Sequence, residues 1–450
     1  MKVILLLGAG RSSSALVGYL KEACKTFDWK LKIADISNDK LIETVKTCSF
    51  VETVQLDILD FRKRSKLFKK CDIVINHLPE NCLPAVLESC IQLGKPMVSP
   101  HQLTRKLAKF KESAIDNQVL ALFECGAFPG LDHITAKQAI DRIQKLGGDI
   151  NSFESFAGNL VNTRTKVSHW NPRPAKEAKY VVHAGKGTTR YLENGQIRHI
   201  PYHRVFEHAR PVNIDQLGQL EAYPQSDALY YQKIYNLDKP QTLFKGTLRT
   251  EGFSKAWQEI VRLGLTENTY PVSNSESLTY RDFTRSFLHP RENEDEVERF
   301  TEKLDDDVKA KLIDLGLFKE QPIGLKKASP AHILTRTLQK QWSPDFPDRD
   351  VLIIHHEFKY AMRGQQRKLK ATFIEEGNNA TDSALHRVGG LTIGVIAKQI
   401  LLGKVNKTGI HIPVDQQIYD PVINELSQLG IAFQVNDEVI IEEDPSMVAE

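Results

Sequence analysis

Short apolar runs alternate with longer segments of helical periodicity along the first third of the chain. The apolar runs are VILLL, LKIAD, VETVQLD, DIVINHLP, PMVS and VLALFEC, which we interpret as six strands. Apolar residues recur at helical spacing between them, in residues 11–24, 82–94 and 103–117, and in a segment that carries Leu41, Ile42, Val45 and Cys48. Strands that alternate with helices indicate βαβ units and a parallel sheet. We therefore predict a doubly wound, Rossmann-type domain over residues 1–130.

The pattern changes after Gly130. We predict a helix over 131–147, and then strands at INSFESFAG, KYVVHAG, TTRYLENGQIRHI and DVLIIHHEFKYAMRGQQRKLKATFIEEG. The last two segments contain the hairpin signals Asn194-Gly195 and Arg363-Gly364. This pattern indicates a second α/β domain with a mostly antiparallel sheet, formed by residues 131–250 and 346–390.

Two further segments are helical in pattern. Residues 251–345 are helical and highly charged, as in RENEDEVERFTEKLDDDVKAKLIDLGLF, which is typical of solvated helix faces. Residues 390–403 form a strongly apolar helix, and we expect the segment from about 390 to 450 to return to the first domain and complete it.

Length and charge limit the class of protein. A chain of 450 residues favours two or three domains, because single cores stop growing at roughly 250–300 residues. Sixty basic and 57 acidic residues give a net charge of +3, which provides no basic field for nucleic acid. The apolar start, Val3 to Leu7, is too short for a signal peptide, and no stretch approaches the ~20 apolar residues of a membrane helix. We therefore expect a cytoplasmic protein with no nucleic-acid and no membrane partner.

The cysteines do not indicate a metal site. None of the six forms a C-x-x-C pair, and no histidine cluster completes a zinc pattern. We interpret them as small buried hydrophobes, which fits a reducing cytoplasm, and we predict no metal. They are Cys24, Cys48, Cys71, Cys82, Cys90 and Cys125.

The turn after the first strand resembles a dinucleotide-binding loop. Gly8 and Gly10 occupy the first two positions of G-x-G-x-x-G, and Ser13, which is small, occupies the third. Gly8 allows the tight turn, and Gly10 lets the backbone approach a pyrophosphate. The free N–H groups of the helix start, near Arg11, Ser12 and Ser13, would then face anionic oxygens.

An acidic residue at the end of the second strand completes this interpretation. Asp35 lies 22 residues after Ser13, near the spacing expected for the acid that binds the adenosine ribose. A carboxylate there accepts hydrogen bonds from both ribose hydroxyls and repels a 2′-phosphate, which favours NAD over NADP. NADP stays open, because Arg11 and Lys40 could supply positive charge.

Other residues at strand ends belong to the same predicted crevice, because ligands of this fold bind outside the carboxyl ends of the strands. Asp57 and Ile58 follow the third strand and could flank adenine. The remaining strand ends carry His77, Leu78, Ser99 and, in residues 124–126, Gly126.

The stretch ECGAFPGLDHITA resembles a motif of the glutamate-forming saccharopine dehydrogenases, also called saccharopine reductases. Further stretches agree with that family in order: SFAGNL, SHWNPR, KGTLRTEGF, LIDLGLF, LIIHHEF, TIGVIAKQILLGK and YDPVINEL. The resemblance implies a Rossmann domain, a catalytic and dimerising α/β domain, and a small helical domain inserted in the latter. It also implies a homodimer and reductive joining of 2-aminoadipate semialdehyde with glutamate, or the reverse reaction.

The resemblance assigns several site residues. It implies that Trp170 lies at the cofactor and that Thr247, Leu248 and Arg249 contact the substrate. Phe128 stands where the family has an aspartate of the substrate site. Arg249 is suited to bind a carboxylate through two parallel hydrogen bonds.

The chain also departs from the family pattern. Ser226 stands where the family has an arginine, and SPHQ at residues 99–102 stands where the family has a stretch like TSSY. Loss of that arginine leaves one carboxylate of saccharopine without its partner, for which Arg164 and Arg173 are candidate replacements. Fungal members use NADP and carry a basic residue at the position of Asp35.

Proton handling has several candidates and no single assignment. His77, Asp132 and His133 are the catalytic candidates, with His101 as a further histidine, since imidazole titrates near neutral pH. Asp132 also begins a helix, where a carboxylate simply complements the dipole. Orientation of the nicotinamide against a bound imine could supply much of the rate.

Four hypotheses follow for a protein with a small-molecule substrate. The first is an NAD(P)-dependent oxidoreductase that acts on saccharopine. The second is an imine reductase for a carboxylated polyamine precursor such as carboxynorspermidine, which the departures at Phe128 and Ser226 keep open. The third is a nucleotide-binding regulator without catalysis, and the fourth is a structural protein that binds no dinucleotide.

Overall fold

The computed structural model describes residues 1–37, 39, 49–162, 168–175, 178–225, 227–290, 294–343 and 347–440, with the backbone alone at Arg11 and Asn162. Several predictions therefore lie outside the described residues. They are the helix with Leu41, Ile42, Val45 and Cys48, and the proposals for Lys40, Arg164 and Ser226.

The described residues form seventeen strands. They are β1 (Val3–Leu7), β2 (Lys30–Asp35), β3 (Val51–Gln55), β4 (Ile73–Asn76), β5 (Met97–Val98), β6 (Leu120–Leu122), β7 (Asp149–Asn162), β8 (Arg173–Pro174), β9 (Thr189–Glu193), β10 (Gln196–Ile200), β11 (Arg210–Ile214), β12 (Gly218–Pro224), β13 (Thr242–Arg249), β14 (Arg349–Met362), β15 (Gln365–Glu376), β16 (Gly409–His411) and β17 (Gln434–Val439).

The α-helices of the described residues are α1 (Ser14–Phe27), α2 (Phe61–Phe68), α3 (Leu83–Gln92), α4 (Arg105–Ala108), α5 (Lys111–Asp116), α6 (Leu131–Lys145), α7 (Ala178–Val182), α8 (Leu229–Tyr235), α9 (Phe253–Arg262), α10 (Tyr280–Arg285), α11 (Glu296–Glu302), α12 (Asp306–Asp314), α13 (Pro330–Trp342), α14 (Ala384–Leu401) and α15 (Gln416–Gln428). Short 3-10 helices occupy Arg11–Ser13, Glu80–Cys82 and Tyr202–His208. None of the described helices is long and apolar enough to span a bilayer.

The N-terminal sheet is parallel throughout its described strands. They lie in the order β16-β6-β5-β4-β1-β2-β3, and each neighbouring pair is parallel. Strands of such sheets are covered on both faces, so they are continuous apolar runs rather than alternating ones. The four residues from Ile4 to Leu7 are fully buried for this reason. The predicted doubly wound parallel sheet is confirmed, and β16 adds a seventh strand.

Helix α14 packs closely on α1 within this unit. A Cβ at Gly390 would lie 2.9 Å from the backbone nitrogen of Leu16, and one at Gly394 would lie 2.5 Å from the Tyr19 ring. Two glycines one helical turn apart therefore let the two helices approach closely. The helix begins at Ala384, six residues before the predicted start, because Ser383 caps it by accepting from the His386 N–H.

The second sheet is mixed and mostly antiparallel. The described strands lie in the order β10-β9-β13-β7-β14-β15-β17, with β8 beside β7, and β12 joining β11 to β13. The pair β7–β13 is parallel, whereas the pairs of β14 with β7 and β15 are antiparallel. The predicted mostly antiparallel sheet is confirmed.

Some predictions of local structure were wrong. KYVVHAG was predicted as a strand, but residues 178–182 form α7, whose Val181 and Val182 are buried. Strands β11, β12 and β13 were not predicted. The predicted helix over 103–117 is two short helices, α4 and α5.

The chain folds into two compact units. The first consists of Met1–Gly147 and Thr381–Gln434, and the second of Gly148–Ala380 with the segment from Val435 onward. Each unit is therefore built from two separate parts of the chain. That residues 251–345 form a separate inserted helical domain stays a prediction.

Candidate active site

Gly8 makes the turn at the carboxyl end of β1. Its φ of +101° lies in the region that favours glycine, and its N–H donates to the Ala34 carbonyl at 2.8 Å. A Cβ at this position would lie 2.9 Å from the His77 carbonyl oxygen, so a side chain would collide with the end of β4. Gly8 therefore serves the tight turn that the sequence predicts.

Gly10 leaves open space at the start of the helix. The nearest atom that a Cβ there would meet is the Ser12 hydroxyl oxygen, at 3.8 Å. Ser13 is fully buried, and both its N–H and its hydroxyl donate to the Gly10 carbonyl, at 2.9 Å and 2.6 Å. Ser13, the small third residue of the motif, thus stabilises the turn from its buried side. The other side of Gly10 stays open to a pyrophosphate. The Arg11 side chain is outside the described part of the chain.

Asp35 ends β2 beside this turn. Its carboxylate accepts from the Ala9 N–H at 2.8 Å through Oδ2 and from the Ser37 N–H at 2.9 Å through Oδ1. The side chain is buried, with 8% of the residue exposed. Each carboxylate oxygen has two lone pairs, so each retains one acceptor position. A fixed acid with two remaining acceptor positions fits the pair of ribose hydroxyls.

The other predicted strand-end residues follow β3, β4, β5 and β6, and therefore lie at the same edge of the parallel sheet. Asp57 is exposed, and its carboxylate accepts from the Leu59 N–H at 2.9 Å. Ile58 is buried and Leu78 is half-buried against the same apolar cluster. The Ser99 hydroxyl lies 3.1 Å from His101 Nδ1. Gly126 is buried in the loop after β6.

His77 follows β4 and is half-buried. Burial, with smaller contributions from the nearby His101 and His386, lowers the pKa of His77 to about 4. His77 is therefore neutral near pH 7, and a pKa so far below 7 makes it a weak base.

The loop after β6 is held by Asp132 and His133. Asp132 accepts from the Gly130 N–H at 2.7 Å. His133 Nε2 lies 2.8 Å from Glu124 Oε2, with both side chains buried, and Glu124 Oε1 accepts from the Leu103 N–H at 3.0 Å. These contacts join the loops after β5 and β6 to the start of α6. Asp132 and His133, two of the three catalytic candidates, thus stabilise the loop through these contacts. Phe128 lies half-buried within the same loop.

Trp170 is a buried residue of the second unit. Its indole N–H donates to the Lys311 carbonyl at 2.7 Å. Its ring packs edge-on against Phe253, Trp257 and Trp342, with centroids 5.5–6.1 Å apart. The structure therefore shows a role for Trp170 in the aromatic core, and its predicted contact with the cofactor stays a prediction.

The three predicted substrate residues lie together at the end of β13, but they do not share one face. Thr247 and Arg249 alternate with Leu248, so the two polar side chains project from one face of the sheet. Leu248 is fully buried on the other face, where a Cβ at Gly158 would lie 2.7 Å from its Cβ. Thr247 and Arg249 are buried as well.

Arg249 is a buried guanidinium without an ion pair among the described residues. Nη1 donates to the Leu248 carbonyl at 2.8 Å and Nη2 to the Tyr223 hydroxyl at 3.3 Å, while Nε has no partner there. The group lies between the Tyr223 and Phe253 rings, 5.5 Å and 5.1 Å from their centroids. A buried cation needs an anion, so this arrangement fits an anionic ligand.

Glu221 is the nearest candidate partner by register, since it pairs directly with Arg249 across β12 and β13. Its carboxylate instead accepts from the Ser254 N–H at 2.5 Å and the Gly252 N–H at 3.0 Å, at the start of α9. Glu221 therefore caps α9 instead of pairing with Arg249, and the Arg249 guanidinium stays available to a ligand.

The sequence placed Glu124 at the end of the sixth strand without a role, and it did not indicate Tyr223 or Glu221. Glu124 stands in the ECGAFPGLDHITA motif, so its position was visible although its role was not. Tyr223 and Glu221 depend on the pairing of β12 with β13, and no local pattern shows that pairing.

A parallel sheet with a glycine turn after β1 and an acid at the end of β2 defines a Rossmann-type dinucleotide-binding domain. The sequence model of the saccharopine dehydrogenase NADP binding domain matches residues 4–122, and that of the saccharopine dehydrogenase C-terminal domain matches residues 126–431. The chain belongs to the saccharopine dehydrogenase family, as its motifs predict.

Individual relatives agree with this assignment. Saccharopine dehydrogenase (NADP(+), L-glutamate-forming) of Schizosaccharomyces pombe is 25% identical over 456 residues, which cover 98% of this chain and 100% of that protein. Alpha-aminoadipic semialdehyde synthase of Arabidopsis thaliana is 26% identical over 97% of this chain, which spans 45% of that longer protein.

A solved structure supports the fold. Apo saccharopine dehydrogenase (L-Glu forming) from Saccharomyces cerevisiae superposes with a TM-score of 0.85 at 21% identity, over 97% of this chain and 100% of that one.

Proposed function

We propose that this protein is an NAD(P)-dependent, glutamate-forming saccharopine dehydrogenase. It would convert saccharopine, NAD(P)⁺ and water to glutamate, 2-aminoadipate semialdehyde, NAD(P)H and a proton, or catalyse the reverse. The observation that carries the proposal is the match of both family domains along the chain. Relatives named for saccharopine chemistry favour this hypothesis over the polyamine one.

The proposed cofactor residues belong to the first unit, and the proposed carboxylate-binding residue belongs to the second. When bound, the nicotinamide supplies hydride to the C=N carbon of the substrate or removes hydride from the corresponding C–H. Gly8, Gly10 and the helix start would hold the pyrophosphate, and Asp35 the ribose. Arg249 would bind one of the three carboxylates of saccharopine, for which its unpaired, buried guanidinium is suited.

The environment of Asp35 supports a preference for NAD. Its carboxylate is fixed by two backbone N–H groups, so it cannot turn away from a 2′-phosphate without losing both hydrogen bonds. The fungal relatives carry NADP(+) in their names, so this preference differs from theirs.

Fluorescence titration with NADH and NADPH tests the cofactor proposal, and an assay of saccharopine oxidation tests the reaction. We expect NADH to bind at least about tenfold more tightly than NADPH, which corresponds to about 1.4 kcal/mol. Asp35→Asn should remove most of that difference, while Asp116→Asn, which removes an exposed carboxylate of α5, should leave it. Equal affinities in the unaltered protein would contradict the preference. Binding of both cofactors without oxidation of saccharopine would favour the regulator instead.

The oligomeric state and the location are further proposals. We propose a homodimer because the resembled family implies one, and light scattering on the purified protein tests it. A cytoplasmic location is supported by the five described cysteines, all of which are unpaired.

A further inference from the structure

Asn159 carries a buried amide oxygen that nothing satisfies in the described part of the chain. The residue lies on β7 and is 2% exposed, and its Oδ1 has no hydrogen-bond partner. Leaving a buried acceptor unpaired is unfavourable, so native proteins rarely do it without a reason. Asn159 stands in the SFAGNL stretch, but the sequence predicted no role for it.

The register of the second sheet places Asn159 beside Arg249. Strands β7 and β13 run parallel with Ala157 opposite Thr247, and the close approach of Gly158 to Leu248 continues that register by one residue. One residue further along, Asn159 and Arg249 meet on neighbouring strands. Because side chains alternate along a strand, both project from the face that also carries Thr247.

The side chains of Asn159 and Arg249 carry complementary hydrogen-bonding atoms that lack partners in the described part of the chain. Arg249 Nε is a donor without an acceptor, and Asn159 Oδ1 is an acceptor without a donor, among the described residues. They are not hydrogen-bonded to each other, and Glu221 is already engaged by the start of α9. A ligand that satisfies both must present an anionic acceptor and an N–H donor a few ångströms apart. The carboxylate and ammonium of an α-amino acid are such a pair.

We propose that Asn159 is a specificity residue that accepts a hydrogen bond from the α-ammonium of the substrate's 2-aminoadipate end, whose carboxylate Arg249 binds. This inference rests on the proposed function. Of the two nitrogens of saccharopine, the one at the glutamate end takes part in the reaction and passes through an imine. The α-ammonium of the other end keeps its N–H groups throughout, so a fixed amide oxygen can hold it in every state.

Calorimetric titration with 2-aminoadipate and with adipate, which lacks the amine, tests the proposal. The titrations are made with the full chain in the presence of saturating glutamate and NAD⁺. We expect the unaltered protein to bind 2-aminoadipate at least tenfold more tightly than adipate. Asn159→Leu, which keeps the side-chain volume but removes the acceptor, should reduce that ratio to threefold or less, mainly by weakening 2-aminoadipate binding.

Two comparisons keep the result specific. Asn151→Leu alters a half-buried amide near the other end of the same strand and should leave the ratio unchanged. If Asn159→Leu does not fold, Asn159→Ala provides the same comparison. An unchanged ratio in the Asn159 variant, or no preference for the amine in the unaltered protein, overturns the inference. Failure of the unaltered protein to oxidise saccharopine is a separate result, which overturns the proposed function itself.

Discussion

Glu357, on β14, is held by charged and polar neighbours on the face of the second sheet. Its carboxylate lies 3.1 Å from His355 Nε2 and 2.8 Å from Lys368 Nζ, and His355 Nδ1 lies 2.7 Å from the Thr372 hydroxyl. Burial alone would raise the pKa of Glu357, but the hydrogen bond from His355 and the contact with Lys368 outweigh it and lower the pKa to about 2. The folded state therefore favours the charged carboxylate.

This shift predicts a specific acid sensitivity. The unfolded pKa of glutamate is about 4.3, so the stabilising contribution of Glu357 is complete above that pH and is lost as the pH falls toward 2. The contribution is roughly 2–3 kcal/mol. Urea unfolding between pH 6 and pH 3 should show a weaker loss of stability for Glu357→Gln than for the unaltered protein. Parallel pH dependences of the two proteins would show that Glu357 is not linked to folding.

Arg249 gives a second prediction at this scale. Lysine keeps the charge but loses the planar fork that binds a carboxylate through two hydrogen bonds. Arg249→Lys should raise the KM for saccharopine at least about tenfold, since charged hydrogen bonds contribute roughly 1.5–3 kcal/mol. NADH affinity, measured by fluorescence, should be unchanged. Arg262→Lys, an exposed replacement on α9, is the matched control, and an equal effect on KM there would count against a special role for Arg249.

At the scale of elements, the helix pair α1–α14 depends on two glycines of α14. A Cβ at Gly390 would press on the backbone of Leu16, which cannot move aside as a flexible side chain can. Gly18, on α1 itself, has no atom within 4 Å of the position a Cβ would take. Substitution of Gly18 therefore tests helix propensity, whereas substitution of Gly390 tests close packing of the two helices.

Alanine at these positions should have opposite effects. Gly18→Ala should raise the free energy of unfolding by up to about 1 kcal/mol, because alanine is the better helix former. Gly390→Ala should lower it by roughly 1–3 kcal/mol, because overpacking costs more than propensity returns. Denaturant unfolding of both variants measures the difference, and a stabilised Gly390→Ala protein would contradict the close packing described for this pair.

Strands could be predicted from the sequence where both of their faces are buried. Strands β1 and β4 are apolar throughout their length or nearly so, since both faces of a parallel sheet are covered. Strand β13 escaped prediction because buried Lys245, Thr247 and Arg249 interrupt its apolar residues, which breaks both the continuous and the alternating pattern. The valines of KYVVHAG indicate a strand, but tertiary packing against α13 overrides that preference and α7 forms. The glycine turn and Asp35 are local features and were predicted. Tyr223 and Asn159, the neighbours of Arg249 on β12 and β7, were not predicted because they are distant from it in sequence.

At the scale of the whole molecule, the described cysteines all lie in the first unit and report on its unfolding. All five are unpaired, and Cys82 is half-buried while the other four are buried. Burial raises the pKa of Cys24 to about 11 and that of Cys71 to about 12, and it raises those of Cys90 and Cys125 as well. The reactive thiolate is therefore scarce at each of these sites in the folded protein.

Thiol labelling should follow unfolding rather than intrinsic reactivity. In a Cys48→Ser background, a disulfide reagent at pH 8 should modify Cys82 first and the other four only as denaturant unfolds the first unit. Mass spectrometry at each denaturant concentration identifies the labelled sites. Rapid modification of Cys71 or Cys90 without denaturant would show that the parallel-sheet unit opens locally.

The interleaved path of the chain has a consequence for synthesis on the ribosome. Strand β16, which pairs with β6, and helix α14, which covers α1, are translated only after the first part of the second unit. The nascent first unit must therefore wait with an open sheet edge and an uncovered helix while residues 148–380 are made, an exposure that favours chaperone binding. A truncated chain that ends near residue 147 or 380 would preserve that unfinished state. Producing the first unit alone would require grafting residues 381–434 onto its N-terminal part through a linker.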